Sequence, residues 1–164
     1  MKDLKWNLFC CLFLLLSSCG YHFEGGGYIN DTVKKVAIKV LENKSSETGA
    51  GPLFTNALIR EISQKTDTKV VEPSFADAVL DGKIRSITFE SLSRSSTESV
   101  IERRVSAVMD LKMINNSGKI VWSVKNFSSS EEYTVSEDKV TDEGNKREAV
   151  EKIAIRSAEK IISK

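Results

Sequence analysis

From Arg104 to Met113 the chain alternates without a break. Val105, Ala107, Met109, Leu111 and Met113 fall between Arg104, Ser106, Val108, Asp110 and Lys112. A β-strand turns successive side chains to opposite faces, so this segment is a strand with one apolar and one mostly polar face. The apolar face needs a cover, and the C-terminus supplies one. Ala149, Val150, Ile153, Ala154, Ser157, Ala158, Ile161 and Ile162 recur at helical spacing and make a one-sided helix. Asn145, with Glu148 three residues on, predicts where that helix starts.

The rest of the chain fills in around this pair. Lys34 to Leu41 alternates about Val36, Ile38 and Val40 and predicts a strand. Pro52 suits a first helical position, and Phe54, Ala57, Leu58 and Ile62 carry a helix to about Lys65. Lys69 to Glu72 is a short extended piece that Pro73 breaks. Ala78 to Phe89 is a long strand in two phases: Leu80, Gly82 and Ile84 share one, Ile87 and Phe89 the other. A bulge near Arg85-Ser86 reconciles them. Ser91 to Ser99 reads as a polar loop, and Asn115 to Gly118 as a hairpin turn. Ile120, Trp122 and Val124 begin a partner strand that continues to Val135. The order is β-α-β-β-β-α. It predicts an α+β fold with two helices packed on one face of a mixed, mostly antiparallel sheet, the other face left to solvent or a partner.

Composition then narrows function. Net charge is +1, from 24 Lys and Arg against 23 Asp and Glu, so no broad footprint for nucleic acid exists. The three cysteines all lie within the first 19 residues, and His22 is the one histidine. Neither a metal centre built from His and Cys nor a His-dependent triad has the residues it needs.

The first residues read as an address. Lys2 and Lys5 precede Leu8 to Leu16, an unbroken apolar run too short for a bilayer, which takes about 20 residues. Leu16-Ser17-Ser18-Cys19 then resembles a bacterial lipobox. That resemblance implies cleavage before Cys19 and a thioether from its sulfur to diacylglycerol; only a thiol can make that bond. Several acyl chains at about 0.8 kcal/mol per buried methylene hold where one does not. Gly20 in place of an aspartate favours the outer membrane. Residues 1–18 are thus a lipoprotein signal peptide, 19–33 a lipidated tether with Gly25-Gly26-Gly27, and 34–164 the domain. Without residues 1–18 the basic and acidic side chains are equal in number, and with Cys10 and Cys11 gone no disulfide is possible.

Candidate chemistry is sparse. Asp77 and Asp81 flank a strand start, but four residues of strand span ~13 Å, too far for paired catalytic carboxylates. Glu131-Glu132 and Asp142-Glu143 read as solvated surface, and Trp122 as core. No catalytic residue, metal ligand or cofactor site is expected, so the chain is not expected to be an enzyme. One cluster stands out: Arg94, Arg103 and Arg104 bracket the polar loop, and arginine matches phosphate oxygens bidentately.

The chain also resembles the lipopolysaccharide-assembly lipoprotein family LptE, also called RlpB. The residues that carry the resemblance are Cys19-Gly20-Tyr21-His22-Phe23 after the lipobox, Val36-Ala37-Ile38 leading to Asn43-Lys44-Ser45, and the helix Leu53 to Ile62. Ala76-Asp77-Ala78-Val79-Leu80-Asp81-Gly82-Lys83-Ile84 and Gly118 to Trp122 continue it in order. The resemblance implies an outer-membrane lipoprotein whose domain faces the periplasm and the lumen of a large barrel. Such a protein plugs and assembles the LPS-translocating barrel LptD and helps deliver lipopolysaccharide to the outer leaflet. A contact between lipid phosphates and Arg94, Arg103 and Arg104 is an inference from their chemistry, not from the family. The alternative is a periplasm-facing outer-membrane lipoprotein that activates a peptidoglycan synthase or another envelope machine.

Overall fold

The computed structural model describes residues 27–94 and 100–163. The lipobox, Cys19 and the first part of the expected tether lie outside the described residues.

A six-stranded mixed sheet carries two helices on one face. The elements are β1 (Lys35–Ile38), β2 (Glu42–Asn43), α1 (Ala50–Lys65), β3 (Lys69–Val70), a single turn of 3-10 helix (Pro73–Phe75), β4 (Ala78–Arg94), β5 (Val100–Asn115), β6 (Ile120–Thr134) and α2 (Lys139–Ile162). The sheet order is β3-β1-β4-β5-β6, with β2 also paired to β4. β1 runs parallel to β3 and β4, while β4, β5 and β6 form an antiparallel meander. The predicted α+β class and the placement of both helices on one face hold.

The alternating segment is the middle of that meander. Val105, Ala107, Met109 and Met113 are fully buried beneath the helices, and Leu111 nearly so. β5 keeps one phase from Val105 to Met113; its neighbours do not. A bulge at Arg85 shifts β4 between Ile84 and Ser86, where the two-phase pattern placed it. A second bulge in β6, between Val124 and Phe127, moves the inward set from Trp122 and Val124 to Phe127, Ser129 and Tyr133. Trp122 is half-buried against the core rather than enclosed by it.

The Leu80-Asp81-Gly82 segment has a steric explanation. A Cβ on Gly82 would sit 2.4 Å from Leu111 Cδ2 and 2.5 Å from the Asp110 carbonyl oxygen. Only glycine lets β4 approach β5 this closely. Asp77 Oδ2 accepts the backbone N–H groups of Lys34 at 3.0 Å and Lys35 at 2.8 Å, which fixes the entry to β1.

Four boundaries differ from the sequence expectation, each for a local reason. The packed domain begins before residue 34: Val33 is 1% exposed, and the Ile29 N–H donates to Thr68 Oγ1 at 3.2 Å. β1 stops at Ile38 because Leu41 turns inward, its N–H held by Thr55 Oγ1 at 2.9 Å. Ser91 to Arg94 extend β4 instead of starting a loop, through pairing with Val100 to Arg103. α2 starts six residues earlier than Asn145 because Asp138 caps it. Asp138 Oδ2 accepts the Thr141 N–H at 2.8 Å and its hydroxyl at 2.7 Å, and these bonds hold the carboxyl below its usual pKa. Asn145 instead donates its amide to the Thr134 carbonyl at 2.9 Å.

Three outcomes test this packing. Gly82→Ala should destabilise the domain by about 1–3 kcal/mol in urea unfolding, since backbone and a core side chain must both move. Ile153→Asp, at a fully buried position of α2, should abolish the cooperative transition. Because the folded pKa of Asp138 is depressed, its cap contribution is complete above the ordinary carboxylate pKa and lost as pH falls through the folded value. Asp138→Ala should therefore be less stable than wild type at neutral pH and converge on it in acid.

Candidate functional surface

The face of the sheet opposite the helices is bare and polar. Its residues are the other phase of the same alternation, set in cross-strand rows by the register. Glu90, Arg104 and Glu132 form one row; Thr88, Ser106 and Ser130 the next; then Ser86, Val108 and Ser128; and below them Asp81, Lys112 and Ser123. Ionic rows thus bracket a hydroxyl-rich middle. Arg104 meets Glu132 through Nη2 at 2.6 Å and Nε at 3.2 Å. Lys112 lies 3.9 Å from Asp81. Exposed pairs like these contribute ~0–1 kcal/mol each, so they orient side chains more than they hold the fold together.

Asp110 is the centre of the face, and sequence reading missed it. Its Oδ1 accepts the backbone N–H of Asn126 at 2.8 Å. Its Oδ2 lies 3.9 Å from Lys83 Nζ and 4.0 Å from Arg85 Nη1. Arg85 also hydrogen-bonds the Asn126 side-chain oxygen. Asn126 sits in the left-handed region at φ 51°, which asparagine adopts more readily than most residues. Both bulges therefore converge on one carboxylate. The hint in the sequence is the phase slip near Arg85-Ser86 in β4. Beside Asp110 a cleft of about 460 Å³ opens between Val40 and Ile120, floored by Asp81, Lys83 and Lys112.

The arginines flagged in the sequence lie near the far end of the β4–β5 hairpin. Arg103 pairs in register with Ser91 and Tyr133, and Arg104 with Glu90 and Glu132. As neighbours on a strand they project to opposite faces, Arg103 on the helix side and Arg104 on the bare side. Arg104 is engaged by Glu132, whereas Arg103 has no ion-pair partner among the described residues. The Arg94 side chain and residues 95–99 lie outside the described residues. Lys83 and Arg85 do not join the cluster; they stand about five strand positions away, roughly 16 Å, around Asp110. Asp77 and Asp81 are separated as expected, one tying down β1 and the other facing Lys112. Among the described residues no group of His, Cys, Asp and Glu could hold a metal ion, and no helix is long and apolar enough to cross a membrane.

This geometry defines a class: a two-layer α+β domain with a bare polar sheet face and a long hairpin. Solved structures share the architecture. Lipoprotein B from Nitrosomonas europaea aligns with TM-score 0.59 and 15% identity over 88% of each chain. A lipoprotein from Caulobacter crescentus gives TM-score 0.55 and 14% identity over 75% of this chain and 85% of its own. A Xanthomonas campestris protein gives 0.53 and 11% over 80% and 85%. At such identities the likeness is one of fold. A search of curated protein sequences finds no match. The family model for LptE, lipopolysaccharide-assembly, matches residues 33–164, and the chain belongs to the LptE family. It is thus a lipoprotein of lipopolysaccharide assembly, consistent with a place in the cell envelope.

Asp110→Ala should cost about 1–3 kcal/mol, the range for stranding a polar partner, and should shift the amide resonance of Asn126. Asn126→Gly should be tolerated at that φ, and Asn126→Val should not.

Proposed function

We propose that this chain is the non-enzymatic plug of an LptD-like outer-membrane barrel and helps pass lipopolysaccharide to the outer leaflet. Membership of the lipopolysaccharide-assembly family across residues 33–164 carries the reading. Two features of the fold support it. The β4–β5 hairpin has strands of 17 and 16 residues, roughly 50 Å long, against a hydrocarbon core of ~30 Å. The bare face is hydroxyl-rich and ion-paired, suited to a wet lumen rather than to lipid. In this reading Cys19 carries the acyl groups that hold the domain at the periplasmic side of the outer membrane.

The arginines at the hairpin end are the proposed contact for lipid A phosphates. Their geometry ranks them: Arg103 has no ion pair among the described residues, while Arg104 must leave Glu132 to bind. Arg103→Ser should therefore weaken lipopolysaccharide binding more than Arg104→Ser. The triple Ser variant with Arg94 should bind weakest and show the flattest salt dependence, with thermal stability nearly unchanged. Unchanged affinity in a folded triple variant would remove this contact and leave the plug role standing.

The role itself is tested by mild detergent extraction of the tagged protein. A stoichiometric outer-membrane barrel should co-purify. A penicillin-binding protein in its place would move the chain to the envelope-activator class. Intact mass should show a chain beginning at Cys19 with added acyl mass; an unmodified chain starting at Met1 would sink the anchor.

A further inference from the structure

The two edges of the sheet are unlike. On one side the edge is made by β3 and β2, two residues each. On the other, β6 runs for 15 residues and pairs only with β5. An exposed edge strand is a template for another strand, and folded proteins blunt theirs. β6 is blunted in three places. At the end where the chain enters, Asn30 donates its amide to the Val121 carbonyl at 3.3 Å, at a position that the β5 register skips. At the far end Asn145 donates to the Thr134 carbonyl at 2.9 Å. Between them the bulge at Lys125-Asn126 twists the strand.

One stretch is left open. The register with β5 is continuous from Phe127 to Thr134, and the Val135 N–H donates to the Ile101 carbonyl at 3.0 Å. Antiparallel pairs alternate between bonded and non-bonded, so Ser129, Glu131 and Tyr133 exchange bonds with β5. Ser128, Ser130 and Glu132 then point their N–H and C=O groups away from the sheet. Among the described residues nothing meets those groups. Where the stretch ends, a recess of about 240 Å³ is lined by Glu132 and Thr134 of the bare face and by Glu148 and Lys152 of α2. Groups from both layers line it, so it opens on the edge itself.

We infer that Ser128 to Glu132 receives an added strand, supplied by a segment of the barrel partner that folds into the lumen. The inference rests on the plug reading. β6 is one long side of the plug, so its edge faces the lumen wall. The strands of that wall are paired around a closed ring and have no edge to give, so the added strand comes from a loop. In such pairing main-chain bonds supply affinity and side chains supply selectivity. The open stretch carries Glu131 and Glu132 and no cation. Each glutamate meets one arginine of its own chain, Arg156 and Arg104, and a carboxylate accepts more than one donor. Opposite charges across a strand pair support it and like charges weaken it, so the added strand carries basic or hydroxyl residues opposite the glutamates. A second copy of this chain would instead set its own two glutamates along the same edge.

A proline separates main chain from side chain at this edge. At Ser130 it removes an N–H that points off the sheet, which an edge strand tolerates, and it leaves the added strand without that donor. Ser130→Pro and Ser130→Ala are made in the tagged full-length protein and extracted from the envelope in mild detergent. Ser130→Ala keeps the N–H and should retain the barrel at the wild-type ratio. Ser130→Pro should melt cooperatively near the wild-type temperature and retain about tenfold less barrel. A folded Ser130→Pro that holds the barrel as wild type does overturns the added strand and leaves the plug reading standing. Equal loss of the barrel in Ser130→Ala overturns it too, since the hydroxyl is then the contact. Hydrogen exchange on the wild-type chain answers without the proline, should that variant not fold. The amides of Ser128, Ser130 and Glu132 should slow in the complex; equal exchange with and without the barrel overturns the pairing. Recovery of a second copy of the chain, paired through this edge beside a bound barrel, overturns the occupant. Wild-type protein that brings down no barrel overturns the plug reading and the inference together.

Discussion

The sheet depends on one carboxylate between two bulges. β5 runs in a single phase, so its inner face stays apolar from Val105 to Met113. β4 and β6 each need a phase change to keep pace: β6 makes it beside Asp110, and β4 at Arg85, between the rows of Met109 and Val108. A bulge leaves a backbone N–H without a ladder partner and twists the strand. Asp110 accepts that N–H in β6 and draws the bulged Arg85 of β4 across the face. Without such a partner the slip would turn half of each outer strand inside out, because a one-residue shift exchanges the faces.

The one-sidedness that follows separates structure from function in space. Everything apolar and regular points to the helices: α2 contributes Ala149, Val150, Ile153, Ala154, Ala158 and Ile161, and α1 meets it with Phe54, Leu58 and Ile62. What remains on the other face is polar and held in pairs. A protein of lipopolysaccharide assembly has to tolerate a wet, charged environment without losing its core, and a two-layer fold with one bare face meets that demand. Its length does the rest, setting the arginine end and the chain entry at opposite poles.

Much of this was legible along the chain. The 3.6-residue stripe named the core face of α2 residue by residue, because a helix buried on one side has no freedom to deviate from it. The two phases of Ala78 to Phe89 predicted the β4 bulge. The β6 bulge was not legible, because Ser123 to Ser130 mixes hydroxyls and charges, and a hydroxyl fits either face. The start of α2 was misplaced because two polar residues, Asp138 and Asn145, could each cap a helix. Only the turn after Thr134 shows that Asn145 is occupied with the strand carbonyl.

The sequence alone determined which residues must be hidden and that two helices cover one face of a sheet. Both follow from local periodicity. Tertiary structure decided the rest. It split Arg103 from Arg104, since strand neighbours face opposite ways. It drew Val33 into the core and gave Asp110 its three partners. These are contacts between residues far apart in sequence, and no pattern along the chain encodes which distant group will arrive.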